Sequence, residues 1–103
     1  MLLIREIMFC KPGKAKPLVD KFLAMNKLSA AAGMPVMKVM TDFSSERYWM
    51  VVAHMEVADL AAFERMMKGE GMSEAAGKEM ESIMKGYHDL VEHGRREIYK
   101  LEN

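Results

Sequence analysis

The amino-acid sequence predicts an α+β protein whose elements follow the order β-α-β-β-α(α)-β. Long stretches with apolar residues at every third or fourth position predict helices, and shorter stretches rich in β-branched, aromatic and methionine residues predict strands. The chain has 103 residues, which suffice for one hydrophobic core and leave too little for a second. We therefore expect a single domain over residues 1–103.

The first strand is predicted over residues 2–10, and a loop with the sequence Lys-Pro-Gly-Lys follows at 11–14. A long helix comes next. Pro17 suits its first turn, where no backbone N–H is needed, and the apolar residues after it keep helical spacing. Gly33 is expected to end the helix, because glycine readily adopts the left-handed conformation found just past a helix C-terminus.

Two strands over 34–43 and 47–56, separated by Ser-Ser-Glu, predict a β-hairpin. Pro35 is expected at the start of the first of these strands, where the sheet requires no donor. Asp59 is predicted to cap a short helix over 60–68, since its carboxylate can accept from the free N–H groups of the first turn.

A further helix is predicted from Ser73 onwards, ending at Gly94 with His93 near its negatively polarised C-terminus. Gly86 weakens this prediction, because glycine is a poor helix former. A strand over 95–101 completes the order. It is the split βαβ, or ferredoxin-like, arrangement, in which a four-stranded antiparallel sheet carries its helices on one face.

The sheet face without helices is expected to be unusually apolar. On the predicted strands 47–56 and 34–43, both sets of alternate residues are largely apolar. Four strands about 4.8 Å apart and about 25 Å long leave roughly 500 Å² uncovered, and an apolar patch of that size usually marks a binding surface. We expect a second copy to cover it, which gives a homodimer with sheet packed on sheet around a central cavity.

Three segments resemble the dimeric α+β barrel proteins, a group that includes NIPSNAP-like and antibiotic-biosynthesis-monooxygenase-like domains. They are the first strand running into Lys-Pro-Gly-Lys at 11–14, the hairpin, and the passage from His54-Met55-Glu56 to Asp59-Leu60-Ala61-Ala62-Phe63. The resemblance covers nearly the whole chain and implies the ferredoxin-like fold and the dimeric α/β barrel. It leaves function open, because the group contains oxygenases, haem-degrading enzymes and members without a known role.

Oxygenases of this group use an Asn and a Trp that line the cavity, and this pair does not map onto the sequence. The first strand contains no Asn, since Asn26 falls on the first helix and Asn103 is the last residue. Trp49 is the single tryptophan. We interpret it mainly as a large core or interface residue, and keep it as a candidate ligand contact.

His54 is the candidate acid or base, because an imidazole changes its protonation near neutral pH. Tyr48, Met50, Val52 and His54 share one face of a regular strand, so Tyr48 is the candidate hydrogen-bond donor beside it. The alternative is a structural histidine whose ring nitrogens are bonded to neighbours.

Charged and methionine residues of the strands are the other candidate ligand contacts. Arg5 and Lys38 supply possible counter-charges, and the alternative is that they form structural ion pairs. Met40 and Met50 belong to a set of 13 methionines, whose flexible side chains suit a cavity for varied apolar ligands or plain core filling.

Metal and cofactor sites are not expected. Met34, Met37 and Met40 have the spacing of a copper(I) site, but strand alternation puts Met37 on the opposite face. His88 and His93, five residues apart on a predicted helix, diverge by about 140°. Haem ligation by His88 is a possibility only by analogy with haem-binding relatives.

Charge and cysteine content bear on partners and location. Fifteen Lys and Arg balance 15 Asp and Glu, so no net positive charge is available to hold nucleic acid. The apolar run at Met1 is broken by Arg5, far short of a signal core or a spanning helix. The single cysteine, Cys10, agrees with a reducing compartment, and we expect a cytoplasmic protein.

The expected function follows from the fold and the uncovered face. We expect a small homodimeric α/β-barrel protein, of unknown activity, that holds a small, largely apolar molecule between its sheets. The alternative is a cofactor-free monooxygenase- or isomerase-type enzyme that uses His54 as acid or base. An enzyme requires the polar groups to converge on a pocket that solvent can reach.

Overall fold

The computed structural model describes residues 1–103 and contains four strands, three α-helices and one short 3₁₀ turn. The strands are β1 (Leu2–Cys10), β2 (Lys38–Thr41), β3 (Met50–Val57) and β4 (Val91–Lys100). The helices are α1 (Ala15–Ala31), α2 (Leu60–Met67) and α3 (Glu74–Met84), and the 3₁₀ turn spans Tyr87–Asp89. The predicted β-α-β-β-α-α-β order is confirmed.

The four strands form one sheet in the order β2-β3-β1-β4, and every neighbouring pair is antiparallel. This is the ferredoxin-like α+β arrangement. The molecule measures 36 × 35 × 18 Å, and the shortest dimension corresponds to one helix layer on one sheet layer. One face of the sheet is therefore free of helices.

Strand register decides which residues lie on that free face. Odd-numbered residues of β1 are level with even-numbered residues of β3 and odd-numbered residues of β4. Even-numbered residues of β2 are level with even-numbered residues of β3. We call the face formed by these positions the open face; the remaining strand positions form the helix side.

The main core lies between the sheet and α1. Leu18 and Phe22 of α1 pack with Val51 and Ala53 of β3. Leu18 and Val51 are fully buried. Leu18 and Phe22 are four residues apart, about one helical turn, so they share one face of α1. Val51 and Ala53 are two residues apart, so they share one face of β3.

A second part of the core lies under α2. Phe63 packs with Ile4 of β1 and Val57 of β3. Asp59 and Ser73 begin α2 and α3 as the sequence predicts: their side chains accept hydrogen bonds from the backbone N–H of the residue three positions on, at 2.8 and 3.1 Å. None of the helices combines the length and the hydrophobicity that a membrane-spanning segment requires.

Lys21 ties α1 to the end of α3. Its Nζ donates to the carbonyl oxygens of Ile83 and Lys85, each at 2.8 Å. A cation at a helix C-terminus satisfies carbonyl groups that have no partner within the helix. This contact fixes the ends of the two helices relative to each other.

The hairpin strands are shorter than predicted, and this part of the prediction is wrong. Pro35 lies ahead of β2, because the backbone of Met37 is bonded to the side chain of Asn26 and not to β3. At the other end, the backbone N–H of Met50 donates to Asp42 Oδ1 at 2.9 Å. Trp49 has a φ of 62°, a left-handed value that a strand cannot accommodate, so β3 starts only at Met50.

The helix predicted to end at Gly94 ends at Met84, which is a second correction. Gly86 has a φ of 83° and interrupts the helical hydrogen bonds. His93 and Gly94 lie on β4 instead. Gly94 is opposite Met8, and a Cβ there would come within 2.7 Å of Met8 Sδ and 2.9 Å of the Ile7 carbonyl oxygen. The glycine thus permits close packing on a strand and does not stop a helix.

Candidate functional site

The open face has an apolar centre that is buried without any helix above it. Ile7, Phe9 and Met50 are 2%, 4% and 4% exposed and form a cluster, with half-buried Val52 packed beside it. The predicted ligand contact Met50 thus belongs to a packed cluster in the single chain. Other side chains of the open face must provide the cover.

That cover consists of three side chains around the ring of Phe9. The guanidinium carbons of Arg47 and Arg95 lie 4.9 and 5.6 Å from the ring centroid, and the imidazole of His93 stacks on the ring at 4.7 Å. Cations over an aromatic face are attracted by the negative charge of its π-system. We call Arg47, His93 and Arg95 the Phe9 cover.

Ion pairs hold the Phe9 cover in place across three strands. Arg95 Nη2 lies 3.2 Å from Glu46 Oε1, and Arg47 Nη2 lies 3.7 Å from Glu92 Oε2. Arg47 Nη1 is 3.5 Å from His93 Nε2, which accepts when the ring nitrogen is unprotonated. The loop between β2 and β3 therefore reaches over β1 to β4 and covers one end of the open face.

A row of four ionisable side chains crosses the open face away from this cover. Lys38 of β2 is level with His54 of β3, His54 with Arg5 of β1, and Arg5 with Glu97 of β4. Side chains at directly opposed positions have Cβ atoms about 4.5–5.5 Å apart. Three of the predicted site residues, Arg5, Lys38 and His54, are thus consecutive neighbours. The next row contains Met40, which is 37% exposed.

Glu97 is the acceptor at the end of that row. It accepts from the Tyr99 hydroxyl at 2.8 Å, from Arg95 Nε at 3.2 Å and from Arg5 Nη1 at 3.3 Å. These donors favour the ionised carboxylate and lower the pKa of Glu97, with the Tyr99 hydroxyl and the Arg95 guanidinium as the largest causes. The hydrogen bonds from Arg95 to Glu97 and Glu46 raise the pKa of Arg95 in return.

Tyr48 and Trp49 do not lie on the strand to which the sequence assigned them. Tyr48 is 85% exposed in the loop before β3, so strand alternation does not place its hydroxyl beside His54. Trp49, 44% exposed, lines a groove of about 320 Å³ at the end of β1, next to Cys10 and Pro12. Phe43 in the same loop is 97% exposed.

The helix side carries a second groove of about 330 Å³, between β4 and the 3₁₀ turn. Glu6 and Arg96 form an ion pair in its wall, and the rings of Tyr87 and His88 lie 4.1 Å apart at its rim. Because Glu6 already has a cationic partner, this groove offers a ligand few free polar groups besides His88. No three side chains of His, Cys, Asp or Glu are grouped as metal ligands.

Sequence reasoning missed the Phe9 cover and the part played by Glu97. His93 was missed because the segment before residue 95 was assigned to a helix. Arg95 lay on the predicted strand over 95–101, but only the strand register places it beside Phe9. No local signal identifies Glu46 or Arg47 as partners of β4, because Arg47 and His93 are 46 positions apart in sequence and Glu46 and Arg95 are 49 apart.

Comparison with known proteins identifies the fold. No protein-family model and no curated protein matches the sequence. Among solved structures, a NIPSNAP domain protein from Burkholderia xenovorans matches with a TM-score of 0.76 at 11% identity, over 98% of this chain and 94% of that one.

Two further structures give the same result. The protein PA3566 from Pseudomonas aeruginosa matches with a TM-score of 0.68 at 19% identity, over 97% of this chain and 93% of that one. A candidate antibiotic biosynthesis monooxygenase from Deinococcus radiodurans matches with a TM-score of 0.70 at 10% identity, over 100% and 94% of the two chains. The resemblance expected from the sequence is confirmed as a likeness of fold, and at these identities it carries no activity.

Proposed function

We propose that this chain acts as a homodimer whose two open faces enclose a cavity for a small, largely apolar molecule. The observation that carries the proposal is that the open face has no helix cover, while Met40 and Tyr99 on it are 37% and 45% exposed. Sheets pack face to face about 10 Å apart, so a second copy suits this surface.

The area of the contact supports a second copy that also uses the hairpin loop. A sheet face of roughly 500 Å² is smaller than the ~800 Å² that each partner contributes to a standard interface. Phe43, Tyr48 and Trp49 in the adjoining loop are all at least 44% exposed. Large exposed aromatic side chains next to the uncovered face supply the contact area that the sheet face by itself lacks.

Sedimentation velocity tests the dimer. At micromolar concentration we expect a species of twice 11.7 kDa. Val52→Lys places an ammonium group in the middle of the open face, one row from the cations Lys38 and Arg5, and burying it without an acidic partner should weaken the dimer by roughly 100-fold or more. Leu23→Lys, on a 47% exposed position of α1, adds the same charge away from the sheet and should leave the dimer intact.

The result against the proposal is a wild-type chain that stays monomeric at 100 micromolar, or a Val52→Lys variant that dimerises like the wild type. Circular dichroism of each variant checks that the chain is folded. Native mass spectrometry of gently purified protein should then detect a bound small molecule in the dimer peak.

A second candidate function is acid–base chemistry at His54. One observation favours it: no side-chain hydrogen bond or ion pair involves the half-buried imidazole, which leaves both ring nitrogens available to a bound molecule. Tyr48 is not positioned to assist. His54→Gln should stop hydrogen–deuterium exchange of the bound molecule without preventing its binding; equal exchange in the variant would exclude this role.

A further inference from the structure

The three basic side chains Lys38, His54 and Arg5 lie side by side on the open face, and we call them the cationic row because Lys38 and Arg5 carry positive charge. They lie on the adjacent strands β2, β3 and β1, and the strand register places them level with one another. Lys38 and Arg5 are cations, and His54 between them has ring nitrogens that can bond to a bound molecule. A row of this kind therefore favours the binding of an anion.

The acidic residues around the cationic row do not neutralise it. Glu97 is shared between Arg5 and Arg95, at 3.3 and 3.2 Å. Glu56 of β3 is the other acidic residue on the open face. It is exposed and forms no ion pair. Neither Lys38 nor His54 takes part in any ion pair or side-chain hydrogen bond. The row thus retains free donors on Lys38, on His54 and on the remaining nitrogens of Arg5.

Apolar positions lie directly beside these donors. The row next to the cationic row consists of Met40, Val52 and Ile7, which are level with one another. Met40 is 37% exposed and Val52 is half-buried, whereas Ile7 is covered. A molecule lying across both rows would meet cationic donors at one end and an adaptable apolar surface at the other.

We propose that the open face binds a small organic carboxylate. Its carboxylate oxygens accept hydrogen bonds from Lys38, His54 and Arg5, and its apolar body lies on Met40 and Val52. Hydrogen bonds between charged partners are about twice as strong as neutral ones, and a guanidinium can donate two to one carboxylate. This inference rests on the proposed function, because it names the ligand class for the same face.

In the proposed dimer, a bound anion has a larger stabilising effect than in a single chain. Two open faces packed together bring both cationic rows into one cavity, where fewer water molecules screen their charges. A carboxylate at each row offsets the repulsion. Because ligand that binds the dimer preferentially stabilises it, the carboxylate should also promote dimer formation.

Binding of 2-naphthoate and 2-naphthamide to the full chain tests the inference. The two probes have the same apolar body and differ only in the charge of the head group. By isothermal titration at low salt, we expect the carboxylate to bind at least ten times more tightly than the amide. Lys38→Met should reduce carboxylate affinity about tenfold and leave amide affinity unchanged.

Lys100→Met is the matched control, because Lys100 is an exposed strand lysine on the helix side of β4. It should change neither affinity. Equal affinity for the two probes, equal weakening of both by Lys38→Met, or the same loss in Lys100→Met would each overturn the carboxylate site.

Sedimentation with and without 2-naphthoate separates this inference from the proposed function. A dimer that does not distinguish the two probes overturns the carboxylate site and keeps the dimer. Selective binding of 2-naphthoate by a monomer keeps the carboxylate site and overturns the dimeric cavity.

Discussion

The side chain of Asn26 hydrogen-bonds the backbone of Met37 in both directions. Its Nδ2 donates to the Met37 carbonyl oxygen at 2.8 Å, and the Met37 N–H donates to its Oδ1 at 2.9 Å. The amide thus occupies the place that a neighbouring strand would take, on the segment just before β2. This contact joins α1 to the edge of the sheet and positions Lys38, the first member of the cationic row.

Asn26→Ala should therefore destabilise the protein by about 2 kcal/mol, because it leaves two backbone groups of a half-buried segment without partners. Urea denaturation measures the difference. Lys27→Ala, on the exposed neighbouring position of α1, should change stability by less than about 0.5 kcal/mol. An Asn26→Ala variant as stable as Lys27→Ala would contradict the role of this contact.

Two glycine substitutions should have opposite effects. Gly94→Ala puts a Cβ 2.9 Å from the Ile7 carbonyl oxygen, a backbone atom that cannot rotate away, and should cost about 1–3 kcal/mol. Gly77→Ala, inside α3 with no atom within 4 Å of the new Cβ, should stabilise by about 1 kcal/mol through helix propensity. Thermal unfolding of the two variants should show shifts of roughly 4 °C or more in opposite directions. A rise in Tm for Gly94→Ala would refute the proposed close contact.

Cys10 should react slowly with thiol reagents in the folded protein. The residue is 4% exposed, and burial raises the pKa of its thiol, so both access and the thiolate fraction are reduced. With Ellman's reagent at pH 8, we expect the native chain to react roughly 100-fold more slowly than the chain in guanidinium chloride. As a control, Ser45→Cys in a Cys10→Ala background places the thiol in the exposed loop and should react at once. Equally fast labelling of native Cys10 would show that β1 opens readily at this end.

Glu97 should make stability depend on pH in the acid range. Its hydrogen bonds to Tyr99 and Arg95 lower its pKa in the folded state, so its stabilising effect is complete above the ordinary value of 4.5 and disappears as pH falls through the lowered value. The stability difference between the wild type and Glu97→Gln should therefore be present at pH 7 and shrink below pH 4.5.

Glu81→Gln provides the comparison for this pH profile, because Glu81 is exposed on α3 and forms no ion pair. Its difference from the wild type should not change over the same pH range. A Glu97→Gln difference that stays constant down to pH 2 would exclude the proposed linkage.

Local sequence rules predicted the parts of the fold that depend on near neighbours. The spacing of apolar residues identified α1, and Asp59 and Ser73 identified the starts of α2 and α3, because capping and helical periodicity act within a few residues. Where a local rule had to compete with a distant contact, it gave the wrong result. Hydrogen bonds to the side chain of Asn26 make β2 shorter than predicted. The left-handed conformation of Gly86 ends the helical segment before residue 91, and residues 91–94 pair with β1 instead.

For this protein, the sequence by itself determined the order of the elements and named Arg5, Lys38 and His54 as residues of interest. Only the tertiary structure decided that these three stand side by side, and that Arg47, His93 and Arg95 cover Phe9. The physical reason is that periodicity fixes which residues of one strand share a face. Register between strands depends on hydrogen bonds formed by residues that are far apart along the chain.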